Sequence, residues 1–156
     1  MPGLTDTREA EVVLSDGDHI RNLLGRYCDL IDGADFDGVG ELFADGCLAD
    51  EHGTVLAQGA EQVAAFCAST VRLHDGLPRT KHLVLNTTLE VAREVAGSIT
   101  ARSSYLVLQS LEGVPLQPII TGRYVDRFER TGGGWRFVER RFVVDLVGDL
   151  SRHLGL

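Results

Sequence analysis

Apolar positions between residues 20 and 31 recur at intervals of three and four: Ile20, Leu23, Leu24, Tyr27, Cys28 and Ile31. That spacing lines one face of an α-helix. Ser15 and Asp16 stand before it as an N-cap, Asp18 falls in the first turn where the dipole favours an acid, and Gly33 is placed to end it as the C′ residue. A short second helix follows, with Phe36, Val39, Leu42 and Phe43 on its buried side, and ends near Asp45-Gly46. Residues 47–50 and 54–58 read as two short strands that turn at His52-Gly53. Residues 61–73 read as a third helix, with Val63, Phe66 and Val71 toward the core.

The period changes after Pro78. Residues 80–91, 97–110, 117–130 and 133–147 are rich in Val, Ile, Tyr, Phe and Thr, and are broken by Gly113-Val114-Pro115 and Gly132-Gly133-Gly134. Helices first and long antiparallel strands afterwards predict an α+β domain, its helices gathered on one face of a bent sheet. Residues 1–14 carry no sustained period and read as a loose N-terminal arm. The domain then spans 15–150, and 151–156 form a C-terminal tail.

A chain of 156 residues is one domain, large enough to bury a core without disulfide or metal. Fifteen basic against 23 acidic side chains leave a net charge of −8. Nucleic acid and anionic membranes are bound through dense positive charge, so neither is expected as a partner. Cys28, Cys47 and Cys67 form no C-x-x-C pair and read as small buried hydrophobes in a reducing cytoplasm. No leader pattern opens the chain, and no apolar run approaches the ~20 residues of a membrane helix. The expectation is a soluble, cytoplasmic protein.

Phosphate-loop, dinucleotide, nucleophile-elbow and zinc-protease motifs are all missing from the sequence. Histidines at 19, 52, 74, 82 and 153 lack ligand-like spacing, so neither metal nor cofactor is expected. His82 stands apart. On a regular strand His82, Val84, Asn86 and Thr88 share one face, while Leu83, Leu85, Leu89 and Val91 share the other. A face of His, Asn and Thr suits a cavity lining, though spacing alone favours a core histidine bonded to backbone. Asp32 lies at the border of the first helix's apolar stripe, whereas Asp29 points to the solvated side. The negative helix end should raise its pKa, and so its value as a proton acceptor or histidine partner.

The run IRNLLGRYCDLIDGADFDGVGELFADG, followed by RTKHLVLNTTLEV and GRYVDRFERTGGGWRFVERRF, resembles the SnoaL-like, scytalone-dehydratase-like branch of the nuclear transport factor 2-like superfamily. The resemblance spans residues 17–147. It implies a cone-shaped curved antiparallel sheet with about three helices, enclosing one apolar pocket. Several enzymes of the branch pair a helix-end aspartate with a strand histidine, and Asp32 and His82 fall on those positions. Tyr27 and Arg140 match pocket residues of other members more loosely. Where scytalone dehydratase has a second histidine this chain has Tyr105, and its pocket serine and asparagine fall at Gly122 and Tyr124. A rival alignment with ketosteroid isomerase makes Asp50 the base, beside Tyr27.

The resemblance therefore implies a cofactor-independent lyase of dehydratase type, acting through an Asp32–His82 dyad on an apolar cyclic substrate, polyketide-, aromatic- or steroid-like. Tyr27, Asn86, Tyr105, Tyr124 and Arg140 would contact that substrate. Two alternatives share the pocket: a polyketide cyclase or isomerase, and a non-catalytic ligand-binding or dimerisation module. The apolar face of Leu83, Leu85, Leu89 and Val91 predicts a homodimer.

Overall fold

The computed structural model describes residues 11–155, so the arm expected at 1–14 lies mostly outside the described residues; 11–14 are exposed and irregular. Helix α1 (Asp16–Asp32) opens on Ser15, whose hydroxyl accepts from the Asp18 amide while the Asp18 carboxylate accepts from the Ser15 amide. The two side chains thus satisfy each other's orphan donors. Ile20, Leu24, Tyr27, Cys28 and Ile31 are buried, as the spacing requires. Gly33 ends the helix with φ −85°, and the left-handed residue is Ala34 at φ +57°. Glycine at 33 is therefore not there for a left-handed turn, contrary to the sequence expectation.

Helix α2 (Phe36–Leu42) is capped by Asp35, which accepts from the Gly38 amide at 2.8 Å. It packs against α3 (Gly59–Thr70) so closely that a Cβ at Gly40 would stand 2.4 Å from the Ala60 carbonyl oxygen. Only glycine fits there. Strands β1 (Cys47–Ala49) and β2 (Val55–Gln58) form the expected hairpin. The four long strands are β3 (Thr80–Val91), β4 (Ser98–Leu111), β5 (Val114–Thr131) and β6 (Gly134–Val147). Pro115 lies inside β5, because the turn before it is only Glu112-Gly113.

The strands form one sheet in the order β2-β1-β6-β5-β4-β3. Among the described residues every joint is antiparallel except β1 with β6, so the sheet is mixed rather than wholly antiparallel. Helices α1 and α3 cover its concave side, and the core between holds Phe43, Phe128 and Phe137. Among the described residues no helix is long and apolar enough to cross a membrane.

One irregularity alters the expected faces of β3. Leu85 pairs with Ser104 but Thr88 with Arg102, so β3 carries an extra residue, and Asn86 takes φ +55°. A bulge of one residue reverses the alternation beyond it. Thr87 consequently turns inward to the Ser103 hydroxyl at 3.0 Å, and Leu89 packs against the core. Leu89 does not share the outer face with Leu85.

Candidate active site

Asp32 is the last residue of α1, and β3 begins beside it. The Asp32 carboxylate accepts three donors: the His82 ring at Nδ1 (2.6 Å), the His82 backbone amide (2.8 Å) and the Thr80 hydroxyl (2.8 Å). Helix end and strand start are thereby tied together by one side chain. Both members of the pair are nearly sealed, at 12% and 8% side-chain exposure. A carboxylate at Nδ1 fixes the proton on that nitrogen and leaves the lone pair on Nε2. Burial works to raise the Asp32 pKa, but the bonds from His82 and Thr80 outweigh it and hold the carboxyl below its usual range. The rise expected from the helix dipole is overridden by these three contacts.

His82 lines a cavity of about 460 Å³ whose wall is mainly apolar. Tyr27 reaches it from α1, Tyr105 from β4 and Tyr124 from β5. Tyr105 and Tyr124 stack at 4.4 Å between ring centroids, and Tyr27 meets Tyr124 edge-on at 6.1 Å. Burial raises all three phenols, Tyr105 to about 12, so each is a neutral hydrogen-bond donor. Phe66 and Cys67 of α3 and Ile120 of β5 complete much of the apolar wall. Glu51, which is exposed, marks the mouth.

Two predicted contacts fall elsewhere, and the alternative base is engaged in a turn. Asn86 occupies the β3 bulge, is exposed, and is not part of the cavity wall. Arg140 is fully buried behind the tyrosines: its guanidinium lies 3.8 Å from the Tyr124 ring centre and 4.2 Å from that of Tyr27. Two bonds of 2.8 Å bind it to the equally buried Asp126, so it supports the wall rather than forming it. Asp50 does stand at the cavity, but one carboxylate oxygen accepts the Thr54 and His52 amides at 2.8 and 2.9 Å. Those bonds lower its pKa and close the hairpin turn, which makes it a poor proton acceptor.

The cavity also holds His153, which nothing in the sequence pattern singles out. Residues 151–155, expected as a tail, fold back across the end of α3. The Arg72 amide donates to the His153 carbonyl, the Gly155 amide to Thr70, and the Gln109 side chain to Arg152. His153 is 5% exposed, lines the cavity, and stands 5.9 Å from His82 between ring centres. Only the apolar Leu150 and Leu154 around it hint at burial, since 71 residues separate it from His82. Among the described residues no group of three or more His, Cys, Asp or Glu side chains could hold a metal ion.

Burial, and secondarily the neighbouring His82, depresses the His153 pKa from 6.5 to about 4. Between those values the unfolded chain binds more protons than the fold, so stability present above pH 6.5 should fade toward pH 4. The loss should reach roughly 3 kcal/mol. The lowered Asp32 acts in the same direction at still lower pH. Urea midpoints measured from pH 7 to 4 check this, and a flat profile would contradict it.

A curved sheet with its helices around an aromatic cavity is the fold of the nuclear transport factor 2-like type. The chain belongs to the SnoaL-like domain family, whose profile matches residues 12–141. A nuclear transport factor 2-like protein with a cystatin-like fold from Novosphingobium aromaticivorans is 27% identical, with a TM-score of 0.69 over 88% of this chain and 86% of that one. A protein of unknown function from Mycobacterium tuberculosis is 26% identical, with a TM-score of 0.68 over 85% and 73%. A Novosphingobium aromaticivorans protein provisionally named as a scytalone dehydratase shares the fold at 18% identity, with a TM-score of 0.66 over 86% and 87%. No curated protein matches the sequence.

Proposed function

We propose that the protein is a cofactor-independent lyase of dehydratase type, acting on a neutral, apolar, cyclic small molecule. The observation that carries this reading is the 2.6 Å Asp32–His82 contact inside an aromatic cavity. His82 Nε2 takes a proton from carbon beside an activating group, and Asp32 orients the ring and stabilises the imidazolium that forms. The pair of electrons left on carbon expels a hydroxyl group, which leaves as water with the proton returned by His82. Tyr27, Tyr105 and Tyr124 supply neutral donors to oxygen atoms of the substrate. The cavity wall contains no Lys or Arg among the described residues, which favours an uncharged substrate. The provisional name of the scytalone dehydratase-like neighbour points the same way.

The test is product analysis with hydroxylated bicyclic and tricyclic compounds, following loss of water by mass spectrometry. Asp32→Asn should retain the cavity but lower kcat by about 10²-fold, since the ring loses its charged partner. Unchanged turnover in that variant removes Asp32 from the mechanism. Isomerised or cyclised products of unchanged mass would assign the same base to the polyketide cyclase or isomerase reaction. A ligand that binds but never reacts, with His82→Ala indifferent, would make this a binding module.

The proposal includes a homodimer. Leu85 of β3 and Leu146 of β6 remain exposed outside the cavity, whereas Val91, also exposed, lies beyond the bulge on the side of Leu89. Such faces are usually covered by a second copy. Light scattering should give twice the 17.0 kDa chain mass at micromolar concentration, and the monomer mass would refute it.

A further inference from the structure

His153 has no role in the mechanism so far, although it is buried beside the base. Its Nδ1 is sealed from solvent and has no hydrogen-bond partner among the described residues. A native fold rarely buries an unpaired N–H, whereas an unpaired lone pair is tolerated better. The ring proton therefore belongs on Nε2. Since Nδ1 is shut away and the ring lines the cavity, Nε2 is the nitrogen available to a ligand. The ring is held from behind: the Arg72 amide donates to its carbonyl, and Gln109 and the His74 ring hold the carbonyl of Arg152.

We infer that His153 is a second substrate-contacting histidine, whose Nε2–H donates a hydrogen bond to the oxygen that gains charge when His82 removes the neighbouring proton. The inference rests on the dyad reading above. His82 Nε2 accepts a proton from carbon, the C–H pair moves into a carbon–carbon double bond, and the carbonyl pair moves onto oxygen. His153 holds that oxygen and keeps its own proton. When the oxygen's pair returns, the hydroxyl leaves as water with the proton carried by His82.

The ionisable groups facing His153 are His82 and Asp32 on the cavity side; Arg72, which binds the Leu154 carbonyl, and His74 lie on the outer side. A pKa near 4 keeps the ring neutral at physiological pH, and a neutral imidazole is an effective electrophilic donor. Two imidazoles 5.9 Å apart thus take opposite roles, one accepting a proton and one donating a hydrogen bond.

The probes are 1-indanone and indane, which share an apolar body and differ by a carbonyl group. In calorimetric titrations His153→Phe should weaken indanone binding about tenfold and leave indane within about twofold. His153→Gln, which retains an N–H, should keep most of the ketone preference, and His82→Gln should leave indanone affinity within about threefold. In histidine-labelled protein, ¹⁵N spectra at pH 7 should show His153 neutral with its proton on Nε2. A charged ring, a proton on Nδ1, equal loss of both ligands in His153→Phe, or ketone preference lost instead in His82→Gln would each overturn the assignment. Failure of either probe to bind the wild type would overturn it together with the apolar-cavity reading. Failure of the dyad reading alone shows separately, as activity surviving in His82→Ala.

Discussion

Replacing His82 by alanine should lower kcat by about 10²–10⁴-fold on any substrate the protein dehydrates, the usual contribution of a positioned base. The loss should be chemical rather than structural. His82 contributes a ring to the dyad but not to the central aromatic core, and its removal leaves Asp32 with the backbone amide at position 82 and the Thr80 hydroxyl. One hydrogen bond to a nearly buried carboxylate is worth about 1–3 kcal/mol, so the variant should fold with only a modest fall in melting temperature. Rates and urea midpoints measured on the same preparation separate the two effects. Activity within a few-fold of the wild type would remove His82 as the base, and the hairpin acid Asp50 would be tested next.

Arg140→Met should destabilise the fold by about 3–5 kcal/mol, because it strands the Asp126 carboxylate at zero exposure without a counter-charge. The guanidinium also lies against two tyrosine rings, so its loss loosens the wall from behind. A domain of ordinary stability has about 5–15 kcal/mol in total, and the single variant should be marginal at room temperature. The double variant Arg140→Met with Asp126→Leu removes both charges and should recover much of that loss. Urea denaturation of the three proteins measures this directly. A single variant within about 1 kcal/mol of the wild type would show that the pair is not a buried strut.

Much of this architecture is legible in the sequence because it follows from period and composition. The stripe of α1 and the β-branched runs of β3 to β6 mark their elements to within a few residues at most ends. Topology is less visible where elements are short: three residues of β1 cannot announce that their partner is β6 and that the joint is parallel. The Arg140–Asp126 pair shows how register hides a contact. Counting back from the turn, where Thr131 pairs with Gly134 and Phe128 with Phe137, sets Asp126 opposite Glu139; a shift between Arg127 and Phe128 moves it to Arg140. The Asp32–His82 contact is legible in advance because a helix-end acid and a strand histidine match a family pattern. The burial of His153 is not legible, since burial of a short polar segment depends on what it folds against.

The bulge at Asn86 makes β3 two half-strands set in opposite phase. Its first half, from Thr80 through Val84, serves the cavity, turning His82 into its wall. Its second half serves the scaffold, sending Leu89 under the first turn of α1 beside Gly17. One inserted residue lets a single ribbon meet two geometric demands that strict alternation would set against each other. Odd and even positions along β3 therefore trade duties midway. Substitutions on either side of residue 86 belong to different ledgers: before it they bear on the cavity, after it on how firmly the helix is seated.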